Sequence, residues 1–265
     1  MKFDLLFDPT GGSAWNDLPS ALTFVGLLYA SCGVMKAVSW WRCPPDERPP
    51  ARPFWFSPLF AVESYWRMRP TSRQRVSRLA WRLTWMAAGL AVGYAVAPWL
   101  RSRCPRWSWP YLTLPLLPLY GGAITTLLQL ASATTGEILP DHHGHPWRSS
   151  SVGDFWGRQW NTWLSDWFRQ VIFLPLRRRP MTATFLTFLF SGVWHEALIA
   201  LPVYLWTGVA TFGLMTAYFL LQFGGMVVER ALPRWARRPF FFLVVGGLSP
   251  LFLNQAMLRI LLLWH

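Results

Sequence analysis

The sequence has few charged residues for its length. Only 14% of its 265 residues are charged, whereas roughly a quarter are charged in soluble domains, and 53% are hydrophobic. This shortage of charge excludes an ordinary soluble domain and predicts a protein embedded in a membrane.

Acidic residues are especially scarce, with 12 Asp and Glu against 25 Lys and Arg, a net charge of +13. A basic excess is also typical of nucleic-acid binding. Here, however, the basic residues flank apolar runs in short loops, as they do in membrane proteins. We therefore attribute the charge to membrane topology and expect no nucleic-acid partner.

Cysteine is scarce too, since the chain has three, with no CxxC spacing. That count predicts neither a disulfide framework nor a zinc knuckle. The first 20 residues contain three aspartates and no basic segment before a short apolar run, so we expect no removable signal peptide.

The segment DHHGHPW (141–147) has three histidines but no cysteine and one carboxylate. This composition is a poor match to a structural zinc site, and we predict no metal there. A protease-type HExxH motif is absent because Ile199 stands four residues after His195. Ser191 does not lie in a GxSxG motif either.

Crossing a bilayer takes roughly 20 apolar residues. Six segments are long enough, and they predict an all-α, multi-pass transmembrane helical bundle forming a single domain over residues 1–265. The predicted spans are about 20–40, 79–100, 111–131, 181–206, 207–228 and 240–264.

Basic residues fall unevenly on the two sides of these spans. Nineteen lie in the segments after spans one, three and five, and four lie on the other side. The positive-inside rule then predicts that the Arg- and Pro-rich loop 41–78 and the DFWGRQWN segment lie at the cytosolic face and that both ends of the chain lie outside or in a lumen.

The stretch DFWGRQWNTWLSDWFRQ predicts an amphipathic helix over 154–170. Such a helix is either an interfacial aromatic anchor or the polar roof of a cavity, and periodicity does not separate the two. The residues on its apolar side are Trp156, Trp160, Trp163, Leu164 and Trp167, and those on its polar side are Asp154, Arg158, Asn161, Thr162, Ser165 and Arg169.

His195 and Glu196 interrupt the fourth predicted span. Counted from Met181, His195 lies roughly 21 Å into the span, where an ionisable group is costly and indicates a functional site. The alternative is a neutral histidine with a structural hydrogen bond.

Three segments in this order along the chain resemble the wax-synthase-like branch of the membrane-bound O-acyltransferases. They are PWRSSSVGDFWGRQWN, LPLRRR and FLFSGVWHE. The resemblance is specific over residues 146–196. It implies that His195 and Asn161 are the catalytic residues, with Glu196 and Ser191 supporting them.

The resemblance implies transfer of an acyl group from acyl-CoA to a lipophilic alcohol, such as a long-chain alcohol, sterol or terpenoid. Acyl-CoA would be a co-substrate, and we expect no other cofactor. Candidate acyl-CoA contacts are Arg158, Trp156, Trp160 and Arg177. For a eukaryotic chain the expected location is the endoplasmic reticulum membrane. The alternative is a transporter in which His195 and Glu196 bind a solute or protons.

Overall fold

The computed structural model describes residues 14–261, and this part of the chain is almost entirely helical. One short antiparallel pair, β1 (Arg69–Pro70) and β2 (Glu137–Ile138), is the exception among the described residues. The α-helices are α1 (Ala14–Arg42), α2 (Ala51–Phe56), α3 (Val62–Tyr65), α4 (Arg73–Arg103), α5 (Trp109–Thr113), α6 (Leu116–Ala133), α7 (Val152–Asp154), α8 (Thr162–Phe168), α9 (Pro180–His195), α10 (Leu201–Thr207), α11 (Leu214–Glu229), α12 (Arg234–Phe241), α13 (Ser249–Phe252) and α14 (Gln255–Ile260).

Four helical segments are long and apolar enough to cross a membrane: Asp17–Arg42, Arg73–Val96, Trp109–Ala133 and Pro180–Thr207. They correspond to the first four predicted spans, and the prediction of an all-α membrane bundle is confirmed. The second and third form a hairpin, because α4 packs along α6, and α9 of the fourth packs along α11.

The last two predicted spans are not long helices. The fifth corresponds to α11, which has only 16 residues. The sixth, 240–264, is broken into the end of α12, the π-helical turn Phe242–Gly247, α13 and α14, and residues 262–265 lie outside the described part. Paired glycines and Pro250 disfavour a continuous helix here. Among the described residues, the fifth predicted span is therefore a shorter helix and the sixth is broken, whereas the first four are long apolar helices.

The Arg- and Pro-rich segment 41–78 is packed onto the bundle. Phe54, Leu59 and Tyr65 form one buried core with Trp163 and Trp167 of α8. The buried ammonium of Lys36 in α1 fixes the same segment by donating to the carbonyl oxygens of Phe54 and Trp55, at 3.4 and 2.9 Å.

The predicted single helix over 154–170 is interrupted. A π-helical turn covers Phe155–Gln159, and the chain leaves the helical conformation at Trp160 and Asn161 before α8 begins. Trp163 and Trp167 are buried against segment 41–78, so they are not interfacial anchors. The periodicity predicts one continuous helix because it takes no account of tertiary contacts, and tertiary contacts rather than a bilayer surface surround this segment.

Candidate active site

A cavity of about 640 Å³ lies between the broken segment 153–177 and helices α9, α11 and α13. His195 and Asn161 both line it, although 34 residues separate them in sequence. The rest of its wall is mostly apolar and rich in aromatic rings, which include Phe155, Trp156, Trp160, Phe188, Phe219 and Phe252.

The hydrogen bond of the His195 ring fixes which of its nitrogens is available. Nδ1 lies 2.6 Å from the carbonyl oxygen of Ser191, which can only accept, so Nδ1 carries the proton. The neutral ring then has a bare lone pair on Nε2. Phe219 and Phe252 hold the ring from the sides, with centroids 4.8 and 5.4 Å away.

The residues around His195 in SGVWHE pack α9 against α11. A side chain at Gly192 would meet the Cα of Thr216 at 2.7 Å, so glycine permits a close approach of the two helices. Glu196 is buried, and its Oε1 accepts from the backbone N–H groups of Met215 and Thr216 at 2.9 and 3.0 Å. Glu196 therefore caps α11 rather than lining the cavity.

Asn161 stands at the N-terminal cap of α8 with a left-handed backbone, at φ 43°. Its Oδ1 accepts from the backbone N–H of Leu164 at 3.1 Å. Asparagine tolerates this conformation better than most residues and is a favoured cap. Since Oδ1 is engaged, the carboxamide NH₂ is the group with which Asn161 can bind a ligand in the cavity.

Two histidines of DHHGHPW lie beside Asn161. The backbone N–H of Asn161 donates to Nδ1 of His143 at 3.2 Å, and Nε2 of His143 lies 2.9 Å from Nδ1 of His142. Burial, with a contribution from the His143 ring, lowers the pKa of His142 to about 3. Burial also lowers the pKa of His143 to about 4. Both rings are therefore neutral at neutral pH.

The remaining predicted residues divide into two groups. Trp156, Trp160, Ser191 and Arg177 line the cavity. Arg158 does not: its Nε donates to Asp154 at 2.9 Å, and its side chain is 76% exposed. Backbone breaks at 155–161 turn Arg158 away from the side that Trp156 and Asn161 share.

Sequence reasoning missed the aromatic rings around His195 and the contact of the histidine pair with Asn161. Phe219 and Phe252 give no local signal, because aromatic residues are common throughout the chain. The pattern of DHHGHPW raises the question of metal binding and gives no signal for a contact with Asn161. Residues 14–261 contain no group of three potential metal ligands.

Comparisons with known proteins match the part of the chain that forms this site. Residues 139–220 match the membrane bound O-acyl transferase family. The probable long-chain-alcohol O-fatty-acyltransferase 7 of Arabidopsis thaliana is 32% identical over 145 residues, which are 49% of this chain and 40% of that protein. The probable long-chain-alcohol O-fatty-acyltransferase 8 of Arabidopsis thaliana is 30% identical over 157 residues, which are 52% of this chain and 44% of that protein.

A second kind of relative matches as well. Diacylglycerol O-acyltransferase 1 of Arabidopsis thaliana is 35% identical over 92 residues, 31% of this chain and 18% of the relative. The chain thus spans less than half the length of these curated relatives. The resemblance carried by FWGRQWN and SGVWHE is nevertheless confirmed: residues 139–220 of this integral membrane chain are similar to the membrane bound O-acyl transferase family.

Proposed function

We propose that the protein transfers an acyl group from acyl-CoA to the hydroxyl of a lipophilic alcohol and releases an ester. The observation that carries this proposal is that His195, with a bare Nε2, and Asn161, with an oriented NH₂, line one largely apolar cavity. The relatives named above are acyltransferases that use long-chain alcohols or diacylglycerol as acceptors.

A hydroxyl is a weak nucleophile at neutral pH, so the reaction needs a base. Nε2 of His195 takes the alcohol proton as the oxygen attacks the thioester carbonyl, which is worth roughly 10² to 10⁴ in rate. The NH₂ of Asn161 donates to the oxyanion that develops on that carbonyl. The C–S bond then breaks, and the imidazolium returns the proton to the leaving thiolate, which gives the ester and free CoA.

The cavity wall also suits the two substrates. Its aromatic rings provide an apolar environment for an acyl chain and a lipophilic alcohol. Arg177 lines the cavity and is exposed, so its guanidinium is available for CoA phosphates. The basic loops favour a cytosolic position for this end, and in a eukaryotic cell we expect the endoplasmic reticulum membrane.

The test is ester formation by purified protein from labelled acyl-CoAs and a panel of long-chain alcohols, sterols and terpenoids. We expect His195→Ala to lower turnover at least 10²-fold per folded molecule, because the base is lost. Glu196→Gln is the matched control. It keeps a carbonyl oxygen at the adjacent residue, and turnover should stay near that of the wild type.

Melting temperature measured on the same samples separates a catalytic histidine from a structural one. If His195→Ala lowers stability but leaves turnover per folded molecule unchanged, the mechanism is wrong. Solute uptake into vesicles without ester formation would instead favour the transporter.

A further inference from the structure

The segment 141–147 is docked along the FWGRQWN segment by main-chain hydrogen bonds. The N–H of Gly144 donates to the carbonyl of Gln159 at 2.9 Å, and the N–H of Thr162 donates to the carbonyl of His142 at 2.8 Å. The docked segment is also packed against α6, because a side chain at Gly121 would meet Nε2 of His143 at 2.8 Å. His142 and His143 are therefore held in fixed places beside Asn161.

The hydrogen bonds of the two neutral rings determine their tautomers in sequence. Nδ1 of His143 accepts from the Asn161 N–H, so the proton of His143 is on Nε2. That Nε2 lies 2.9 Å from Nδ1 of His142, which must then accept and leaves its own proton on Nε2. The remaining N–H of His142 is thus a donor.

The result is that Asn161 is fixed at both ends. Its backbone N–H is held by His143, and its carboxamide oxygen accepts from the backbone N–H of Leu164. An amide whose oxygen is bound on one side turns its NH₂ to the other side. Asn161 lines the cavity, where its NH₂ can reach a bound ligand.

We propose that His143, itself held by His142, is a positioning residue, which fixes the left-handed backbone of Asn161 and so places its carboxamide with the NH₂ toward the reacting carbonyl. This inference rests on the proposed function and adds to it that a histidine pair outside the cavity sets the geometry of the second catalytic residue. Misplacing a reacting group by about 1 Å can cost roughly 10² in rate.

The first experiment compares three variants of the docked segment. His143→Leu removes the acceptor, and we expect kcat to fall by about 10- to 100-fold with little change in the KM for acyl-CoA. His143→Asn places an oxygen acceptor near the Nδ1 position and should restore a large part of kcat. His145→Ala is the matched control, because that histidine is exposed in the same segment, and kcat should be unchanged.

A double-mutant cycle shows whether His143 acts through Asn161. In an Asn161→Ala background, His143→Leu should lower kcat less than twofold further, because the group that it positions is already gone. Equal losses in both backgrounds would overturn the proposal. So would equal kcat values for His143→Leu and wild type.

Amide hydrogen exchange of the peptide that contains Asn161 tests the proposal without turnover. Exchange should be faster in His143→Leu than in His143→Asn or His145→Ala, because the leucine variant loses the acceptor of the Asn161 N–H. Unchanged exchange would overturn the positioning role. Absence of ester formation by the wild type would instead overturn the proposed function, so the two failures are distinguishable.

Discussion

Arg177 and Arg178 are adjacent and both exposed, but only Arg177 lines the cavity. We expect Arg177→Ala to raise the KM for acyl-CoA about 5- to 20-fold and to leave kcat within twofold, because a phosphate contact made equally in the ground and transition states affects binding. Steady-state kinetics at several ionic strengths measure this.

Arg178→Ala is the matched control, since it removes the same charge from the same loop. An equal rise in KM for both variants would show that the loop acts through its net charge. Arg178→Ala and Arg158→Ala should both have little effect on the KM for acyl-CoA. The Arg158 guanidinium is paired with Asp154 and lies outside the cavity.

Single residues also show how far sequence reasoning reaches. His195 is recognisable because an ionisable group in an apolar span is costly, and Asn161 through its motif. The left-handed backbone of Asn161 and its hydrogen bond to His143 depend on a contact between residues 18 apart in sequence, for which the local pattern has no signal. The same limit applies to Glu196, whose contacts with the backbone N–H groups of α11 join residues 19 and 20 apart in sequence.

At the scale of elements, α9 and α11 are joined by Gly192 and by the Glu196 carboxylate. Glu196→Ala should lower the free energy of unfolding by about 2 to 5 kcal/mol, because two backbone N–H groups of α11 lose their acceptor. Glu196→Gln keeps one oxygen acceptor and should cost less than half as much. Melting temperatures in detergent measure the difference.

The two variants distinguish a catalytic Glu196 carboxylate from one that only caps α11. A catalytic carboxylate would make Glu196→Gln inactive but stable. A capping carboxylate makes Glu196→Ala unstable and leaves turnover per folded molecule unchanged. Loss of turnover in Glu196→Gln at wild-type melting temperature would therefore assign Glu196 to the site.

Helical elements were predictable where a long apolar run determines them, and not where tertiary packing does. The first four spans follow from hydropathy and length. The breaks at 155–161 and 242–247 do not, since a π-helical turn depends on its neighbours as much as on its own sequence. These breaks border the cavity, where departures from regular structure are expected.

The whole molecule has its basic residues concentrated at one end of the bundle. Segment 41–78, the residues before α8 and the arginines after it are joined there by β1–β2 and by the core of Phe54 and Trp163. The cavity is bordered at that end by Arg169 and Arg177. This arrangement predicts that acyl-CoA arrives from the side on which most basic residues lie.

Topology can be measured directly on the hairpin of α4 and α6. The span Arg73–Val96 has 24 residues and is about 36 Å long at 1.5 Å per residue, enough to cross the roughly 30 Å hydrocarbon core. Ser102, after this span, and Ser150, after the returning span, are both exposed. With the native Cys32, Cys43 and Cys104 replaced by serine, Ser102→Cys and Ser150→Cys should react with an impermeant thiol reagent from opposite faces of sealed vesicles.

The direction of labelling follows from the charge asymmetry, so Ser150→Cys should react from the cytosolic face and Ser102→Cys from the other. Detergent-permeabilised vesicles are the control, in which both cysteines should react. Reaction of both from one face in sealed vesicles would mean that α6 does not return across the bilayer. If the two cysteines react from opposite faces but the faces are exchanged, the hairpin is kept and the orientation is reversed. The end of the cavity that Arg169 and Arg177 border would then face away from cytosolic acyl-CoA.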